Sequence, residues 1–162
     1  MTARIIRVLL LVTLSGCMYQ QRYPTIPEPW YPSANENGDP IFAVFEGRIP
    51  CTDPEQIGCE KIKIALVLYH GSKSKAPTTY KLARVYVATS PEGSRVVVDG
   101  ALTVTHGTKL DPNATVYRLD ASAPREFQAY WAIDQNILFI LDKDLNPKVG
   151  TAGWSYVLNR TH

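Results

Sequence analysis

From residue 41 onward, apolar and polar side chains alternate along most of the chain. The clearest run covers 60–70, where Ile62, Ile64, Leu66 and Leu68 fall on one side. Lys61, Lys63, Ala65, Val67 and Tyr69 fall on the other. A period of two is the mark of an antiparallel strand with one face against a core. The same reading predicts strands over 41–49, 79–89, 95–105, 115–119, 127–133, 137–141 and 154–159. Between them lie turn-forming stretches: 71–77, Ser90 to Gly93, Asp134 to Asn136, and Asp142 to Pro147. Asp99-Gly100 interrupts the fourth run and reads as a bulge or a tight turn.

Eight short strands without an amphipathic helix can form a sandwich or a closed barrel. Closure removes exposed edges, and eight strands leave an interior that side chains fill or that holds one small ligand. The expected fold is therefore all-β, an eight-stranded antiparallel barrel over 41–162. Its predicted inward residues are Phe45, Ile62, Ile64, Leu66, Leu68, Leu82, Leu102, Val104, Phe127, Trp131, Phe139, Leu141 and Leu158.

The first forty residues follow a different pattern. Arg4 and Arg7 precede the apolar run Val8 to Leu14, which is too short to span a bilayer. Residues 1–16 read as a secretory leader, and Leu14-Ser15-Gly16-Cys17 resembles the lipobox of bacterial lipoproteins. That resemblance implies acylation of Cys17, attachment to a membrane through the lipid, and Cys17 as the mature N-terminus. Met18, rather than an aspartate, follows it and points to the outer membrane. Residues 17–40 hold five prolines (Pro24, Pro27, Pro29, Pro32 and Pro40) and no apolar periodicity, so they read as an extended tether. Trp30 and Tyr31, near its end, are expected to pack on the first strand.

Composition sharpens this picture in two ways. The 162 residues are 45% apolar and 20% charged, with nine Tyr, four Phe and three Trp, a globular and strand-favouring mixture. Removing Arg4 and Arg7 from the 17 basic side chains leaves 15 against 15 acidic ones, so nothing favours nucleic acid as a partner.

The chemistry-bearing stretch is Gly47 to Ile62, with Cys51 and Cys59 at either end of a turn-rich loop. In an oxidising compartment the two thiols are expected to form a disulfide. Reduced, they would be two soft metal ligands in want of a third, with His70 and His106 as the ordered candidates and His162 at the terminus. Neither histidine has a ligand-like spacing to the cysteines, so no metal or other cofactor is expected. Asp53, Glu55 and Glu60 surround the loop as solvated acids. No nucleophile–base motif, zinc-hydrolase motif or phosphate-cradling loop occurs, and no enzyme activity is expected.

Phe45-Glu46-Gly47-Arg48-Ile49-Pro50-Cys51, a second cysteine and an alternating strand together resemble the N-terminal domain of the NlpE family of envelope lipoproteins. Leu141 to Pro147, where that family has a Leu-Asp-x-x-Gly turn, and the last strand around Tyr156 to Arg160 extend the likeness over about residues 41–161. The resemblance implies a small lipocalin-like barrel on a lipid anchor; the expected location is the outer membrane, facing the periplasm. It also implies a non-enzymatic role in envelope stress or surface sensing, through an envelope sensor protein, or in copper tolerance. The family's Cys-x-x-Cys is replaced here by cysteines with seven residues between them, so a compact copper dithiol does not carry over. The alternative is a carrier barrel holding a small hydrophobic or lipid-like ligand.

Overall fold

The computed structural model of the chain describes residues 30–51, 58–71, 73–88 and 94–162. The leader, Cys17, the loop acids Asp53 and Glu55, and the turn Ser90 to Gly93 lie outside the described residues.

Tyr31–His162 forms one compact unit. Its strands are β1 (Ile41–Ile49), β2 (Lys61–Tyr69), β3 (Thr79–Val87), β4 (Ser94–His106), β5 (Thr115–Leu119), β6 (Ala129–Ala132), β7 (Ile137–Ile140) and β8 (Val157–Arg160). They close in sequence order into an eight-stranded antiparallel barrel, as the alternation predicts. The seam between β1 and β8 pairs Phe45 with Arg160 and Glu46 with Asn159, and Thr161 donates to the Val44 carbonyl. Gly47 makes this seam possible. A Cβ there would lie 2.6 Å from the Val157 carbonyl oxygen and 2.7 Å from Leu158 Cδ2. The glycine of the Phe45–Cys51 motif is thus a site of close approach between the last strand and the first.

β4 runs without a break through Asp99 and Gly100, which form neither a bulge nor a turn. Its first part, Ser94–Ala101, pairs with β3, and its last part, Leu102–His106, pairs with β5. Gly100 sits at this handover, where a side chain would collide with the Asp120 carboxylate. That carboxylate instead reaches across and accepts from the Ala101 N–H (2.8 Å), the Ser122 N–H (3.0 Å) and the Tyr80 hydroxyl (3.0 Å). Burial works against its ionisation, but these three donors hold its pKa below the usual carboxylate value.

The barrel interior is filled through its waist. Leu66, Leu82, Phe127, Tyr130, Leu138 and Ile140 are fully buried there, with Ile62, Ile64, Leu68, Leu102 and Leu158 around them. On β6 and β7 the inner residues are Tyr130, Ala132, Leu138 and Ile140, so Trp131, Phe139 and Leu141 face outward, contrary to the alternation-based expectation. Trp131 and Phe139 pair across the two strands, with ring centroids 6.3 Å apart. Leu141 and Trp131 join a small outer cluster with Val116, Ala129 and Leu145. A shift of one residue exchanges the two faces of a strand, and where both faces are apolar the pattern cannot choose between them.

Residues 31–40, expected as the end of the tether, belong to the barrel unit. Proline content signals extended chain but not what the chain lies against. Asn35 organises this strap: its Oδ1 accepts from the N–H groups of Asn37 (3.0 Å) and Asp39 (2.8 Å), and its Nδ2 donates to Asp39 Oδ2 and to Thr79 Oγ1 at the start of β3. Pro32 offers its carbonyl to the hydroxyl of Tyr69 at the end of β2. Burial and the nearby Glu46 charge both raise the Tyr31 pKa.

The turn after β7 is held by Asp142, whose Oδ1 accepts from the N–H groups of Asp144 (2.8 Å) and Asn146 (2.9 Å). Leu145 takes φ 62° in this turn. It stands where the resembled Leu-Asp-x-x-Gly pattern has glycine, the residue that adopts this conformation without steric cost.

Candidate functional site at the stapled end of the barrel

In an up-and-down barrel successive connections alternate between the two ends. The links after β1, β3, β5 and β7 share one end, and those after β2, β4 and β6 share the other with the C-terminus. Cys51, just after β1, and Cys59, just before β2, are joined in a disulfide at the first end, with Cα atoms 6.1 Å apart. Both are half-buried and pack on the core. Gly58, at φ +81°, turns the chain into Cys59, and Glu60 then donates its N–H to the Val87 carbonyl at the end of β3.

The histidines are elsewhere. His70 follows β2 and His106 ends β4, both at the opposite end from the cysteines. His70 sits edge-on to Phe42, with Nδ1 3.2 Å from the Ser74 carbonyl oxygen. Among the described residues no group of three His, Cys, Asp or Glu side chains is arranged to hold a metal ion.

What the stapled end does hold is a cationic, aromatic interior that the motifs did not reveal. A turn of 3-10 helix, Arg125–Phe127, follows β5 and presses the fully buried Phe127 ring into the barrel. Arg84 of β3, only 7% exposed, lies with its guanidinium carbon 5.6 Å from the centroid of that ring and 5.8 Å from that of Tyr86. Its Nη1 donates to the Tyr86 hydroxyl at 2.9 Å. Lys148, from the connection between β7 and β8, stands 5.7 Å from the Phe127 ring and 5.6 Å from the Tyr156 ring, and donates to the Glu126 carbonyl. Burial lowers the Lys148 pKa, against the pull of the Glu126 and Asp142 charges. Cation–π contact of this kind offsets part of the cost of removing a charge from water.

A sequence signal for Arg84 did exist. Tyr80, Leu82, Arg84 and Tyr86 are spaced by two, so a strand that points Leu82 inward points Arg84 inward too. Lys148, in an irregular loop, offered none.

The opposite end opens differently. Phe42, Phe45, Tyr117 and Ala132 line a cleft of about 550 Å³, with Asp134 and Arg160 at its rim. Arg160 is tied to backbone, donating to the carbonyls of His162 (3.0 Å) and Phe42 (3.3 Å). Burial raises the Tyr117 pKa, while the Arg160 charge opposes it.

Comparison with known protein families, with curated proteins and with solved structures returns no match.

Proposed function

We propose that the protein is a non-enzymatic lipoprotein of the bacterial envelope, NlpE-like, acting as a sensor or adaptor in envelope stress or surface sensing. In this reading Cys17 carries the lipid, the anchor sits in the outer membrane, and the barrel faces the periplasm and a sensor protein. The observation that supports it is the filled waist of the barrel, with Leu66, Leu82, Tyr130 and Leu138 fully buried. A barrel packed in this way offers partners its ends and outer surface rather than a through-going chamber. The test is an envelope-stress reporter in the source bacterium with the gene deleted, then restored as wild type or as Cys17→Ser. Deletion should alter the reporter, and only the wild type should restore it. A reporter that stays silent under metal, redox and adhesion challenge refutes the proposal.

Copper tolerance is the other role implied by the family resemblance, and it requires the Cys51–Cys59 bond to be reduced first. Cu(I) uptake by reduced protein that is lost in Cys51→Ser would support it, and uptake unchanged in that variant would end it.

A carrier role is favoured by one specific observation, the cleft of about 550 Å³ at the open end. Its mixed lining, with the rings of Phe42, Phe45 and Tyr117 beside Thr115, Gln135 and Arg160, suits a small amphiphile. Native mass spectrometry after gentle extraction should then show a stoichiometric ligand that is lost on substituting Tyr117 by Trp.

A further inference from the structure

Arg84 is the most unusual residue in the barrel. It is paired with Ile64 on one side and Val96 on the other, which fixes it on the inner face. Among the described residues its charge meets no carboxylate, since the one ion pair there is Lys143 with Asp144 on the surface. Its Nε is buried and has no hydrogen-bond partner, and the same holds for the Tyr130 hydroxyl, on a side chain with no exposure at all. Burial raises the Tyr130 pKa, the nearby Tyr80 and Glu126 add to that, and the Arg84 charge opposes them.

An unpaired buried charge and an unsatisfied buried donor each raise the free energy of the folded state. Contact with the Phe127 and Tyr86 rings offsets part of the first and none of the second. A single acceptor with negative charge removes both costs. The guanidinium edge carries parallel N–H groups whose spacing matches the oxygens of a carboxylate or phosphate. Val96, beside Arg84 on the inner face, is 36% exposed. Lys148, across the Phe127 ring, adds a second positive charge to the same end.

We propose that the stapled end of the barrel binds a small oxyanion, a carboxylate or phosphate group, on Arg84 Nε and the Tyr130 hydroxyl. The site is separate from the open-end cleft, and it holds whether or not the barrel signals.

The test uses the full chain in detergent, titrated with sodium acetate and with sodium phosphate against sodium chloride at matched ionic strength. The readouts are the Arg84 Nε–H resonance and the thermal midpoint. One or both oxyanions should move the resonance and raise the midpoint saturably, and chloride should not. Acetate acting alone assigns a carboxylate ligand, and phosphate acting alone a phosphate ligand. Arg84→Met should weaken binding at least about tenfold, the equivalent of one charge-assisted hydrogen bond. Tyr130→Phe should weaken it several-fold while keeping the core volume, and it carries the test if Arg84→Met fails to fold. A resonance that neither oxyanion moves means that water fills the gap, and it overturns the proposal. So does a midpoint shift that is the same in wild type and in Tyr130→Phe.

Discussion

Replacing Asp120 by alanine tests the handover of β4 from β3 to β5. The carboxylate accepts three hydrogen bonds, from Ala101 N–H, Ser122 N–H and the Tyr80 hydroxyl. Hydrogen bonds to a charged acceptor are worth about 1.5–3 kcal/mol each. Asp120 is half-buried, so water can take over the two amides when it is removed. Tyr80 is 1% exposed and cannot be served in the same way. The expected loss is therefore about one charged bond plus a partly stranded hydroxyl, about 2–3 kcal/mol at neutral pH. With a urea slope of about 1–3 kcal/mol per molar, the unfolding midpoint should fall by about 0.7–3 M. The pH dependence gives a second handle. The folded pKa of Asp120 is depressed, so its contribution is complete above the unfolded value of about 4 and is lost as pH falls through the folded value. The gap between wild type and Asp120→Ala should then narrow as the pH is lowered towards the folded value. A neutral-pH loss below about 0.5 kcal/mol, the scale of an ordinary surface substitution, would falsify the reasoning. So would a gap that stays constant through the acid range.

Four further outcomes are expected. Gly47→Ala should destabilise the barrel by about 1–3 kcal/mol, because the added methyl meets the Val157 carbonyl across the seam; a neutral change in urea unfolding would show that the seam relaxes freely. Reducing the disulfide, which closes a separation of eight residues, should lower unfolding free energy by about 2.5 kcal/mol, read as a midpoint difference with and without reductant. Leu138→Ala should cost about 2–5 kcal/mol and more than Phe139→Ala, since Leu138 is fully buried and Phe139 lies on the outer face; the reverse order would mean that β7 is misregistered. Leu145→Gly should be more stable than Leu145→Ala by about 1 kcal/mol, because both lose the contact with the outer cluster but only glycine relieves the positive φ.

The strand count and order were legible because the alternation is strong and the turns are rich in Gly, Pro and Asp. Register on β2 was legible for the same reason: Lys61 and Lys63 mark the outer face, leaving Ile62 and Ile64 nowhere to go but inward. β6 and β7 carry no such marker. Ala129 to Ala132 and Ile137 to Ile140 are apolar at every position, and the face was settled by the second cluster outside the barrel, a tertiary fact. The same limit applies to Gly100, where local turn chemistry pointed to a bulge. The structure uses the missing side chain to admit Asp120, twenty residues away in sequence. The staple was suggested by two cysteines in an oxidising setting. The orphaned Nε of Arg84 and hydroxyl of Tyr130 depend on which side chains converge inside the barrel, and no spacing rule encodes that convergence.

The Asn35 strap bears on how the domain responds to mechanical load. Tension applied through the chain ahead of Tyr31 does not enter at β1. It meets the bonds from Tyr69 to Pro32 and from Asn35 to Thr79, at the adjoining ends of β2 and β3, before it reaches β1. These few bonds would be peeled one at a time, whereas the ladder between β1 and β2 continues through eight paired positions behind them. Under such a pull the strap would give way before the β1–β2 ladder and leave the barrel closed.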